Sequence, residues 1–132
     1  MVQTDLKQTF DELAKLLNRH AKGLAKYDAC IGSQAKGSKP GLQLYGMKEV
    51  GIAVRKPQQT YVAGIIQQKS YVGFYHMPVY SHPGEFELNA KMKKAKSGKS
   101  CFQIKTDAPV LLAEAEKLLV DGIRLYKGEG WI

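Results

Sequence analysis

The hydrophobic periods along this 132-residue chain predict an α+β fold, a two-layer sandwich in which helices cover one face of an antiparallel sheet of about four strands. Apolar residues recur at helical spacing near both ends of the chain. The middle consists of short runs rich in Val, Ile and Tyr, separated by turn residues. Those runs follow one another without intervening helices, as antiparallel meanders do and βαβ units do not. With 44% hydrophobic residues the chain has apolar surface for one core, and the order α-β-β-β-α-β-α is expected to occupy residues 1–132 as a single domain.

Residues 5–26 read as a helix. Leu6, Phe10, Leu13, Leu17, Ala21 and Leu24 form one apolar stripe, Thr4 stands at the N-cap, and Lys22 and Lys26 complement the C-terminal end of the dipole. DACIGSQAKGSKPG, residues 28–41, follows as a loop longer than most connections. Strand-like runs come next at Leu42–Tyr45 with an extension near Val50–Val54, at Thr60–Gln67 and at Tyr71–Met77. Pro78 and Pro83 close this region. A second helix fits Glu85–Lys96, and Ser100–Lys105 reads as a fourth strand. Thr106-Asp107-Ala108-Pro109 is a helix start, a capping side chain followed by proline in the first turn. The final helix, about 108–127, puts Leu111, Ala115, Leu118, Gly122 and Leu125 on one face, widened by Leu119, Ile123 and Tyr126.

No apolar run approaches the roughly 18 residues of a membrane span. The amphipathic, partly acidic N-terminus is neither a secretory signal nor a transit peptide. Cys30 and Cys101 lie far apart and read as reduced thiols, so a cytoplasmic protein is expected. The net charge of +8 comes from 20 basic against 12 acidic residues. Its distribution is uneven: residues 88–106 hold six lysines and no acid, which leaves 14 basic against 12 acidic residues elsewhere. Such a cluster raises the local potential for anionic partners and also keeps a small protein soluble.

Gly98-Lys99-Ser100 invites comparison with a phosphate-binding P-loop, but position 93 is lysine where a glycine is required. The order is helix then strand, the reverse of what aims amides at phosphate, so that reading fails. The lysines themselves admit two readings. Around a narrow stripe of Leu88, Met92 and Ala95, Lys91, Lys93, Lys94 and Lys96, with Lys99 beyond, form either an anion-binding surface or a solvated face whose stems drape over the sheet. The hairpin TYVAGIIQQKSYVGFYHMPVY, residues 60–80, also divides. A turn at Gln68-Lys69 sets Gly64 opposite Gly73, with Val62, Ile66, Tyr71 and Tyr75 on the same face, leaving a notch for a small flat ligand. The competing reading makes the glycines a bulge or a close approach and the tyrosines core. His20, His76 and His82 have no metal spacing, and His76 reads as a core or sheet-edge histidine. Cys101 reads as a small hydrophobe, and Cys30 as a more exposed thiol without activating neighbours. No cofactor fingerprint and no catalytic constellation is present, so no enzyme is expected.

YVGFYHMPVY, HPGEFELNAKMKKAKSGKSCFQIK and LLAEAEKLLVDGIRLYKGEGWI resemble the YdhG-like family of small bacterial domains of unknown function. The likeness is most specific at Gly98-Lys99-Ser100-Cys101-Phe102 and at Gly130-Trp131-Ile132, and in looser form runs from about residue 42 onward. It implies an α+β sandwich related in shape to frataxin. One branch of the family is a proposed iron chaperone, a role that needs an acidic ridge. Here the first helix has only Asp5, Asp11 and Glu12, followed by Lys15, Arg19, Lys22 and Lys26, so the fold carries over and the iron role does not. The resulting expectation is a small non-enzymatic binding or accessory protein for a small flat or anionic ligand. Iron binding and sequence-independent nucleic-acid association are the alternatives.

Overall fold

Eighteen residues, Val2–Arg19, form the first helix (α1) in the computed structural model, which describes residues 2–27, 41–51, 57–98, 100–105 and 109–132. Leu6, Leu13, Leu16 and Leu17 are buried along its inner side. The helix does not continue to Lys26 as its period predicts. Gly23 takes φ 83°, a left-handed conformation that glycine adopts freely and that costs other residues about 1–2 kcal/mol. The chain reverses there, with the Leu24 amide donating to the Ala21 carbonyl at 2.9 Å, and Leu24–Tyr27 becomes an edge strand (β1). Ala21 and Leu24 are buried as the stripe requires, but from a turn and a strand. A turn brings residues i and i+3 to one side just as a helix does, and this is why the period overran.

Three longer strands follow, Gly41–Val50 (β2), Gln58–Gln67 (β3) and Val72–His76 (β4). The strand expected at Tyr71–Met77 ends at His76, and Met77–Ser81 forms a short helix (α2). His76 caps it, accepting from the Val79 amide, and Pro78 occupies its first turn, where a missing N–H costs nothing. A 3-10 turn covers Pro83–Glu85. The predicted helix from Glu85 begins only at Asn89, whose side chain accepts from the Met92 amide at 2.8 Å and caps Ala90–Ala95 (α3). Lys96–Ser97 (β5) then turns through Gly98 into Cys101–Ile104 (β6), and Pro109–Gly128 forms the last helix (α4). Most of the loop at 28–41, including Cys30, lies outside the described residues, as do 52–54 of the strand extension, Lys99 and the cap at 106–108.

The sheet among the described residues has six strands, not four, in the order β1-β2-β3-β4-β6-β5, all antiparallel. The two additions are short edge strands, whose sequences carry too few residues to show a period of two. Alternation sends Leu44, Ala63, Ile65, Phe74, Phe102 and Ile104 to the helical side, where they are fully buried against α1 and α4. Gln43, Gly64, Tyr75, Cys101 and Gln103 face the other way. Among the described residues no helix is long and apolar enough to cross a membrane.

Two polar contacts fix the helices on this core. Arg19 and His20 donate to one oxygen of Glu116, at 2.8 and 2.6 Å, tying the end of α1 to α4. The His20 bond first and the Arg19 bond second hold the Glu116 carboxyl below its usual range. Deeper in, His76 Nε2–H donates to the Leu118 carbonyl at 2.6 Å while Nδ1 accepts from the Val79 amide at 3.1 Å. Both ring nitrogens are spent on a neutral imidazole. Burial holds its pKa down to about 4. The approach of α4 to this ring depends on Gly122: a β-carbon there would stand 2.8 Å from both His76 Nε2 and Pro78 Cγ.

Candidate functional site

The β3–β4 register differs from the one predicted. Gln68 donates to Tyr71 at 2.8 Å, so the turn centres on Lys69-Ser70 and the ladder pairs Gly64 with Tyr75 and Ile66 with Gly73. Moving the turn by one residue slides the pairing by two, which keeps Gly64, Ile66, Gly73 and Tyr75 on one face but separates the glycines. Val62 leaves that face altogether, because a bulge between Leu44↔Ala63 and Tyr45↔Tyr61 turns it into the core. The space above each glycine is filled. The fully buried Gln43 side chain lies over Gly64, donating to the Ile65 carbonyl at 3.0 Å and accepting from the Tyr61 hydroxyl at 2.7 Å. The Tyr75 ring lies over Gly73, 2.9 Å from where a β-carbon would sit. The predicted notch at Gly64, Gly73, Tyr71 and Tyr75 is therefore absent. Each glycine makes room for a neighbouring side chain. Burial also raises the pKa of Tyr75 and of Cys101 beside it, leaving an unactivated thiol.

The lysines divide as well. Lys91 and Lys94 of α3, Lys96 of β5 and Lys105 line one groove of about 470 Å³ together with Ser97 and Gln103. Lys93 is exposed but does not line it. Among the described residues none of these four lysines is ion-paired to a carboxylate. On α1, Asp11 and Glu12 pair with Lys7 and Lys15 of their own helix, at 3.4 and 3.2 Å. No group of three His, Cys, Asp or Glu suited to a metal ion occurs among the described residues.

A further cavity, missed by sequence reasoning, lies between the far ends of β2 and β3, α2 and the C-terminal tail. It holds about 560 Å³. Local chemistry builds each wall. On β2 and β3, Tyr45 and Tyr61 meet at 5.1 Å between ring centres. The His76 cap and Pro78 set α2 so that Tyr80 and Ser81 reach the cleft. Beyond α4, Gly130 at φ 78° turns the chain, and the Trp131 amide donates to the Tyr126 carbonyl at 3.0 Å. Trp131 thereby sits edge-on to Tyr126 at 5.0 Å and against His82 at 5.4 Å.

Polar residues such as Glu49, Gln58, Gln59 and Ser81 are spread through the cleft wall, and one hydrogen-bond relay runs from Tyr126 and Ser81 out of it. Tyr126 and Ser81 share a 2.6 Å hydrogen bond, Ser81 meets His82 Nδ1 at 2.9 Å, and His82 Nε2–H donates to Glu129 at 3.1 Å. Ser81 stands at the middle of this chain of contacts, between the Tyr126 hydroxyl and the His82 ring. The relay pins the tail to α2. Burial raises the Tyr126 pKa, so its phenol stays un-ionised near neutrality. Thr60 also lines the cleft. It is buried, and its hydroxyl, closed to water-sized space, has no hydrogen-bond partner among the described residues. The sequence offered one usable signal for this site: His76 and Pro78, a cap and a first-turn proline, mark a helix that would carry Tyr80. The chain matches no family model, no curated protein and no solved structure.

Proposed function

We propose that the protein is a small binding or accessory module of the YdhG-like, frataxin-related kind, without catalysis of its own, and that its ligand seat is the aromatic cleft. The helix-covered antiparallel sheet supports the family reading, and the free Cys101 thiol supports a cytosolic setting. The observation that carries the ligand seat is the cavity itself, about 560 Å³ with Tyr45, Tyr61, Tyr80, Tyr126 and Trp131 in its wall. Ligand pockets commonly enclose about 300–1,000 Å³ of mostly apolar wall with a few placed polar groups. Such a site fits a small flat molecule carrying one polar end.

Titration with flat aromatic fragments, followed by amide chemical shifts, tests this reading. Shifts should concentrate at Thr60, Tyr61, Ser81 and Trp131. A folded protein whose cleft amides stay still across the set would overturn it.

A second surface is favoured by Lys91, Lys94, Lys96 and Lys105 of the groove at β5 and β6, none ion-paired to a carboxylate among the described residues, which suit a phosphate-bearing anion, nucleic acid included. Neutralising four phosphates implies that affinity drops about a hundredfold between 50 and 200 mM salt. A flat salt response would remove this surface from the proposal.

A further inference from the structure

Among the described lining residues of the aromatic cleft, one side chain is acidic and none is basic. It is Glu49, in a chain whose net charge is +8. Its position comes from an irregularity in β2. From the Tyr45↔Tyr61 pair, an unbroken antiparallel ladder would oppose Met47 to Gln59. The observed ladder opposes Glu49 to Gln59 instead, with two extra residues on β2. The insertion leaves Met47 64% exposed and sets a carboxylate beside the tyrosines. Bulges recur where a strand re-aims a side chain at a functional surface.

The other walls add to the same field. Aromatic rings present negative faces, so a cation within about 6 Å of a ring centre is attracted to it. Of the lining rings, Tyr61 and Trp131 are half-buried and Tyr80 is exposed, so these three keep surface for a ligand, while Tyr45 and Tyr126 are buried behind them. Tyr126, raised above its ordinary pKa by burial, adds no anionic charge of its own. A primary ammonium holds its water tightly, and one carboxylate cannot replace that shell. A quaternary or ring-delocalised cation sheds water at lower cost and has apolar surface to lay against rings.

We infer that the cleft selects a flat organic cation, its spread charge lying between Glu49 and the tyrosine and tryptophan rings. The inference rests on the cleft being the ligand seat.

N-methylpyridinium and toluene, nearly isosteric rings that differ in charge, are the probes. Amide shifts of the intact chain are followed for the parent and for Glu49→Gln, an exposed position whose replacement leaves the core untouched. The expected result is that N-methylpyridinium binds about tenfold more tightly than toluene. Glu49→Gln should then weaken the cation about fivefold and leave toluene unchanged. Equal or tighter binding of toluene overturns the charge preference while leaving the cleft as a seat. Cation binding that is indifferent to Glu49→Gln overturns the role of the carboxylate. If neither probe moves the cleft amides, the ligand seat itself fails and the inference falls with it.

Discussion

Acidification should unfasten α2 through His76. The imidazole is fully buried, its Nε2–H committed to the Leu118 carbonyl and its Nδ1 to the Val79 amide. A second ring proton would have to occupy Nδ1, where it meets an N–H donor and breaks the cap of α2. Folding lowers the pKa from 6.5 to about 4, so the unfolded chain takes up the proton first. Stability from the neutral ring is therefore complete above pH 6.5 and is lost as pH falls from there to about 4. At about 1.4 kcal/mol per pH unit the full loss is about 3 kcal/mol, and the part lost between pH 7 and pH 5 is about 2 kcal/mol. Urea unfolding at both pH values, followed by the fluorescence of the single tryptophan, measures it. His76→Gln supplies the baseline, since it cannot titrate and shares every other group with the parent. The parent should lose about 2 kcal/mol more than the variant over this interval. Equal losses would refute the reasoning, whatever the variant's own stability.

Thr9, like Thr60, is a buried hydroxyl without a partner, but it lies in α1 with no exposure at all. Thr9→Val removes the unpaired oxygen at nearly constant shape and should stabilise the fold by about 1 kcal/mol, raising Tm by about 4 °C. A fall of similar size in thermal denaturation would count against it. Gly122→Ala should lower stability by about 1 kcal/mol in urea titration. Overpacking against His76 and Pro78 costs about 1–3 kcal/mol, against roughly 1 kcal/mol gained by removing a helical glycine. A stabilised variant would show that α4 can move off the sheet freely.

The core was legible because burial and periodicity are the same fact seen twice. Leu13 and Leu17 of α1 and Leu118 and Leu119 of α4 were marked by spacing and are buried. Errors arose where local spacing is degenerate. Ala21 and Leu24 satisfy a helix and a turn equally, and Lys96–Ser97 is too short for any period to show. The hairpin failed by one residue at its turn. Gln67↔Val72 and Gly64↔Tyr75 are set by which amide closes the loop, and Lys69-Ser70 lacks the glycine or asparagine that would have marked the place. The lysine cluster was visible as charge, but its division was not. Only the pairing of β5 with β6 brings Lys105 to Lys91 and Lys94 and leaves Lys93 aside.

By itself the sequence determined the class of the fold, helices over an antiparallel sheet, and the apolar stripes of its two long helices. These follow from apolar period alone, which each segment carries within itself. The aromatic cleft was decided only by the tertiary structure. Glu49, Thr60, Ser81 and Trp131 are scattered over more than eighty positions and share no local pattern. They meet because a strand irregularity, a histidine-capped turn of helix and a glycine-led tail converge, and that convergence depends on packing between elements that no single segment encodes.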